Sequence, residues 1–65
     1  MKNSTFKKLE TDSTFTLDDK KYIVESRVGS NLIYSEYGNR LKQTGISEGD
    51  FNILSNEGRI KIINF

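Results

Sequence analysis

Between residues 12 and 65 apolar and polar side chains alternate in short runs, and a turn-forming cluster divides each run from the next. Ser13-Thr14-Phe15-Thr16-Leu17 puts Phe15 and Leu17 on one face of a strand. Asp18-Asp19-Lys20 then predicts a turn, because aspartate tolerates left-handed backbone and bonds its own main chain. In residues 21–28, Tyr22, Val24 and Val28 share a face and Ile23, Glu25 and Arg27 take the other. These two runs predict a hairpin. Gly29-Ser30-Asn31 breaks the chain, and residues 32–37 predict a third strand with faces Leu32/Tyr34/Glu36 and Ile33/Ser35/Tyr37. Gly38-Asn39 suits a two-residue hairpin loop with positive φ. Residues 40–44 follow as a mostly polar fourth strand whose apolar anchor is Leu41.

The last third is punctuated by Gly45, Gly49 and Gly58. Residues 45–50 predict a single helical or 3₁₀ turn, with Ser47 placed to cap three residues ahead. Residues 51–54 predict a fifth strand, residues 55–58 a turn, and residues 59–65 a final strand. That final strand is apolar on both faces, Ile60/Ile62 and Ile63/Phe65. Such a strand is central or covered: the favoured reading is core packing alone, the alternative is core packing together with a homodimer contact through the C-terminal strand, and Lys61 is a guard against aggregation. Residues 1–11 offer only Phe6 and Leu9 beyond Met1 and fit a helical turn, a first strand or an extended arm alike. Alternation across the hairpins predicts a core of Phe15, Leu17, Tyr22, Val24, Leu32, Leu41, Phe51, Ile53, Ile60 and Ile62. Five or six short strands cannot build a large sandwich. The expected architecture is all-β, a small barrel or strongly curved antiparallel sheet with one short 3₁₀ turn.

Size sharpens this picture. The 65 residues make one domain, residues 1–65. A chain this short buries only ~60% of its unfolded surface, and one such core rarely supplies more than ~3–5 kcal/mol. There is no Cys to form a disulfide, and no Cys or His for a transition-metal site. Oligomerisation is therefore a reasonable source of stability. Ten basic and nine acidic residues leave a net charge of +1, with the signs interspersed; a dedicated duplex-DNA binder usually shows a stronger basic footprint. No apolar run is long enough to span a membrane, and the polar first residues lack the apolar stretch of a signal peptide. A cytoplasmic location is expected. Six Asn, seven Ile and seven Lys beside no Ala and no Pro point to AT-rich codons, as in a low-GC bacterium or a phage.

Residues 15–24, Phe-Thr-Leu-Asp-Asp-Lys-Lys-Tyr-Ile-Val, resemble the opening hairpin of small SH3-like β-barrels. The Ile46-Ser47-Glu48-Gly49-Asp50-Phe51 segment resembles the 3₁₀ turn before their last strand. The resemblance covers roughly residues 13–65 and implies a fold, not a function. With no Trp in the chain, recognition of Pro-rich ligands is not implied.

The chemistry is correspondingly sparse. Nucleophilic catalysis needs an activated Ser or Cys with a base, usually His. Asp18-Asp19 sit in a predicted turn, and Glu48 and Asp50 read as capping and surface residues. No catalytic residue, no metal-ligand set and no cofactor is expected, and the chain reads as a non-enzymatic binding module. The candidate partner-binding residues are Tyr34, Tyr37, Arg40 and Lys42 on the hairpin around Gly38, with Arg27 on the neighbouring strand. Tyr and Arg are enriched at protein-interface hot spots, so a protein partner is the leading expectation. Tyrosines beside cations also stack on bases and pair with phosphates, which makes a nucleic-acid-binding barrel the alternative. The plain reading is that Tyr34 is core and the charges solvate an outer face.

Overall fold

The computed structural model describes residues 5–64. In order they form α1 (Thr5–Lys8), β1 (Thr14–Leu17), β2 (Lys20–Val28), β3 (Asn31–Glu36), β4 (Asn39–Ser47), α2 (Glu48–Asn56) and β5 (Ile60–Asn64). The five strands make one antiparallel sheet in the order β4-β3-β2-β1-β5. The sheet is open: β4 and β5 lie at its two edges and do not pair, so the expected barrel does not close. No described helix is long and apolar enough to cross a membrane.

The first hairpin forms as its residues dictate. Phe15 pairs with Tyr22 and Leu17 with Lys20, leaving Asp18-Asp19 as the two-residue loop. Both loop residues take positive φ, 54° and 70°. That is the requirement of a type I′ turn, whose twist matches the flanking strands. The turn is fastened from outside. Arg59 donates from Nε and Nη2 to the Asp18 carboxylate at 2.9 and 2.7 Å, and the Asp18 N–H donates to the Arg59 carbonyl at 3.0 Å. The guanidinium holds the Asp18 carboxyl below its ordinary value.

A β-bulge corrects the face assignment in β2. The register against β3 shifts between Val24 and Ser26, leaving Glu25 as the extra residue. A bulge reverses the parity of the residues beyond it. Arg27 therefore shares the face of Val24 rather than of Ile23, and Val28 is exposed. On its new face Arg27 donates from Nη2 to the carbonyls of Phe6 and Leu9 at 2.8 and 2.7 Å and lies over the Phe6 ring. It thereby ties the end of α1 to β2, sharing the Phe6 carbonyl with the Leu9 N–H.

The expected 3₁₀ turn and fifth strand are instead the nine-residue helix α2. The Ser47 hydroxyl accepts from the Asp50 N–H at 3.2 Å, and Glu48 and Asp50 lie in the first turn, where acid suits the helix dipole. Phe51 is fully buried and Leu54, three residues on, packs against the core, which is a helical spacing. The C-terminal end is a Schellman motif. Gly58, at φ 78°, donates to the Ser55 carbonyl, and Arg59 donates to the Leu54 carbonyl. The helix runs from one edge strand to the other, so it crosses one face of the sheet and covers it.

Beneath α2 the core gathers Phe6, Leu9, Phe15, Val24, Leu32, Tyr34, Phe51 and Ile60, with Leu17, Tyr22, Ile46, Leu54 and Ile62 packed around them. Its rings form a chain of edge contacts, Phe6 to Phe51 to Phe15 to Tyr34 to Tyr22, with centroids 5.1–6.1 Å apart. Two expected core residues are absent from it. Ile53 lies on the outer side of α2 because the segment is helical, and Leu41 is exposed for the reason given below. Ile63 points away from the core and is half exposed. Phe65, expected on the same face, and residues 1–4 lie outside the described residues.

Candidate functional site

The β3–β4 hairpin departs from the first one at its turn. Glu36 pairs with Asn39, so the loop is Tyr37-Gly38, not Gly38-Asn39. Neither loop residue takes positive φ. A two-residue loop of this kind lacks the twist of the I′ and II′ turns, and the ladder breaks at once. The next pair is Ser35 with Gln43, which leaves Arg40, Leu41 and Lys42 opposite no residue of β3. Bulges of this sort occur at sheet edges and re-aim side chains.

The three bulge residues go three ways. Arg40 turns onto the face opposite α2. There it donates from Nε and Nη2 to the two oxygens of Glu25 at 2.7 and 2.8 Å. Ser35 donates its hydroxyl to the same carboxylate at 2.6 Å. These bonds hold Glu25, whose side chain is only 15% exposed, down at about pKa 2. Lys42 turns the other way and lines a recess of about 260 Å³ with Tyr22, Tyr34, Ser35, Glu36, Gln43 and Thr44. Leu41, between them, is 96% exposed. Tyr37, at the loop, is half exposed, and the Lys21 ammonium sits 4.1 Å from its ring centroid.

The five candidate residues do not form one cluster. Tyr34 is a core residue at 8% exposure, and burial, with Tyr22 beside it, raises its hydroxyl above the ordinary tyrosine value. It nevertheless meets Lys42 at the recess. Tyr37 and Arg40 both lie by the turn, Arg40 with its charge engaged by Glu25. Arg27 is at the far side of the sheet with α1. On this hairpin Leu41 lies outside the core it was expected to anchor, because an apolar residue in a polar alternating run reads as an anchor. The loop signal Gly-Asn gave no hint of the bulge that turns it outward.

Among the described residues, no three His, Cys, Asp or Glu side chains converge on a metal position. The carboxylates of Asp18 and Glu25 are each held ionised by an arginine. No family model, curated protein or solved structure matches the chain.

Proposed function

We propose that the chain is a non-enzymatic protein-binding module that meets its partner on the bulged β3–β4 hairpin. Leu41 and Tyr37 are the apolar anchors of this reading, and Lys42 and the Arg40–Glu25 pair form its polar rim. The observation that carries it is the exposure of Leu41 in a bulge held rigid on one side by the Arg40–Glu25–Ser35 network. One exposed leucine alone means little. Here it is joined by a half-exposed tyrosine and by a recess with two tyrosines in its wall, and tyrosine is a residue enriched at hot spots. The SH3-like resemblance remains part of the proposal at the level of fold.

Nucleic acid is the weaker reading. Phosphate binding needs cations free to displace counterions, whereas Arg27 and Arg40 are engaged within the fold. The test is affinity capture from the native host's lysate after nuclease digestion, followed by binding measurements on the protein recovered. Tyr37→Ala and Leu41→Asp should each weaken binding tenfold or more, on the order of 1–2 kcal/mol, while Lys42→Ala changes it less. Capture that vanishes with nuclease, or binding to single strands that falls steeply with salt, contradicts the proposal.

A further inference from the structure

Two recesses on the α2 face of the sheet meet at Tyr34. The first, about 260 Å³, is polar and lies beside the β4 bulge. Tyr22, Tyr34, Glu36 and Thr44 reach it from one side of the sheet, since Tyr22 pairs with Glu36 and Tyr34 with Thr44. Lys42 lines it from the bulge. The second, about 330 Å³, is walled by Ile46, Ile53 and Leu54, with Asp50 as its charged residue. Small-ligand sites run from about 300 to 1,000 Å³, and the two recesses together fall in that range.

The fold leaves two groups of the polar recess without partners. Tyr34 is only 8% exposed, and among the described residues its hydroxyl makes no hydrogen bond. Every fully buried side-chain nitrogen or oxygen among those residues has a partner. The Tyr34 hydroxyl has none, so it is not sealed, and the recess is what it opens onto. Burial, with Tyr22 beside it, keeps it protonated and hence a donor. The Lys42 ammonium makes no ion pair among the described residues. Glu36, by contrast, is held by Lys20 at 3.2 Å. Lys20 and Lys42 against Glu36 leave one positive charge at this recess. A donor hydroxyl beside an unpaired ammonium suits an anion. One positive charge matches a carboxylate, whereas a phosphate monoester carries about −1.5 to −2. The apolar recess offers no cation, and Asp50 on its rim repels an anion there. Ile53 is more than half exposed on its wall and lacks a cover among the described residues.

We infer that the joined recesses bind a small amphipathic carboxylate, its head held by the Tyr34 hydroxyl and the Lys42 ammonium and its apolar tail laid along Ile46, Ile53 and Leu54. From Thr44 to Ile46 is two strand residues, about 7 Å, a span that a short alkyl chain covers. Tyr37 and Leu41 line neither recess. The ligand site is therefore separate from the apolar anchors of the partner-binding reading, although Lys42 is common to both.

The test is an amide-shift titration of the full chain with sodium hexanoate, with sodium acetate and hexylammonium chloride as controls. Hexanoate should bind saturably and shift the amides of Tyr34, Thr44 and Ile46. Acetate, which lacks the tail, and hexylammonium, which lacks the anion, should each bind at least tenfold more weakly. Tyr34→Phe and Lys42→Gln should each weaken hexanoate binding at least tenfold. Tyr34→Phe has a second readout: a hydroxyl with no partner in the fold adds nothing to stability, so its removal should leave the urea midpoint unchanged or raised. Tyr37→Ala should leave hexanoate binding intact, so failure of this inference and failure of the partner-binding reading are told apart. The inference is overturned if hexanoate does not saturate, if hexylammonium binds as tightly, or if Tyr34→Phe keeps the parent's affinity. A Tyr34→Phe midpoint well below the parent's also overturns it, because the hydroxyl would then be bonded within the fold.

Discussion

The chain holds two hairpins that look alike in sequence and fold differently. Both are alternating runs joined by two polar or small residues. In the first, Asp18 and Asp19 take the positive φ that a twisted two-residue hairpin needs, and Arg59, just before β5, clamps the turn. Every apolar residue of β1 faces the core. In the second, the Tyr37-Gly38 loop lacks positive φ, the register slips by three residues, and an almost fully exposed leucine results. The lesson is that turn geometry decides where side chains go as firmly as alternation does. A matched turn delivers its strands to the core, whereas a mismatched one turns residues out of it.

The comparison breaks most visibly at Phe15, at the hub of the aromatic chain in the first hairpin. Phe15→Ala should cost ~3–5 kcal/mol. That is comparable to the whole stability of a chain this size, ~3–5 kcal/mol, so the variant should be unfolded by circular dichroism at room temperature. A cooperative melt near that of the parent would show that the core is not centred here.

Gly58 tests how the first turn is clamped. Its left-handed backbone ends α2 and aims Arg59 at Asp18. A Cβ at this position meets open space, so any loss from Gly58→Ala reports backbone strain alone. About 1–2 kcal/mol is expected, measured by chemical denaturation. An unchanged midpoint would mean that the Schellman motif is not needed.

The network under the second hairpin predicts a pH signature. Glu25 falls from an ordinary 4.5 to about 2 in the folded chain, chiefly through its bond with Arg40 and then through Ser35. A depressed folded pKa adds stability that is full above about 4.5 and is lost as pH falls toward about 2. Glu25→Gln should therefore melt lower than the parent at neutral pH, and the two should converge below about pH 2. Asp18, also lowered, is common to both proteins and cancels. Parallel melting curves from neutral to acid pH would remove Glu25 from this role.

What could be read in advance follows the same division. The first hairpin was legible because Phe15, Leu17, Tyr22 and Val24 keep strict period and the Asp-Asp loop preserves it. The helix α2 was hidden in Phe51-Asn52-Ile53-Leu54, which fits a strand when Phe51 and Ile53 are read as partners. Its boundaries were present all the same, in Ser47 three residues before Asp50 and in Gly58 after the last turn. Arg27 was assigned to the wrong face because the bulge at Glu25 is a property of strand pairing that no local pattern announces. The hairpin around Gly38 was legible as a candidate surface, but its anchors were exchanged: Tyr34 belongs to the core and Leu41 to the outside.

Leu41 is where the account is most exposed to test. The direct measurement is the unfolding free energy of Leu41→Ala by urea denaturation. A core leucine truncated to alanine loses about 2–5 kcal/mol, whereas a surface change away from structural features stays within about 0.5 kcal/mol. The predicted result is a value within that smaller range and an unchanged m-value. A loss above about 2 kcal/mol would return Leu41 to the core, close the bulge, and leave the second hairpin as structural as the first.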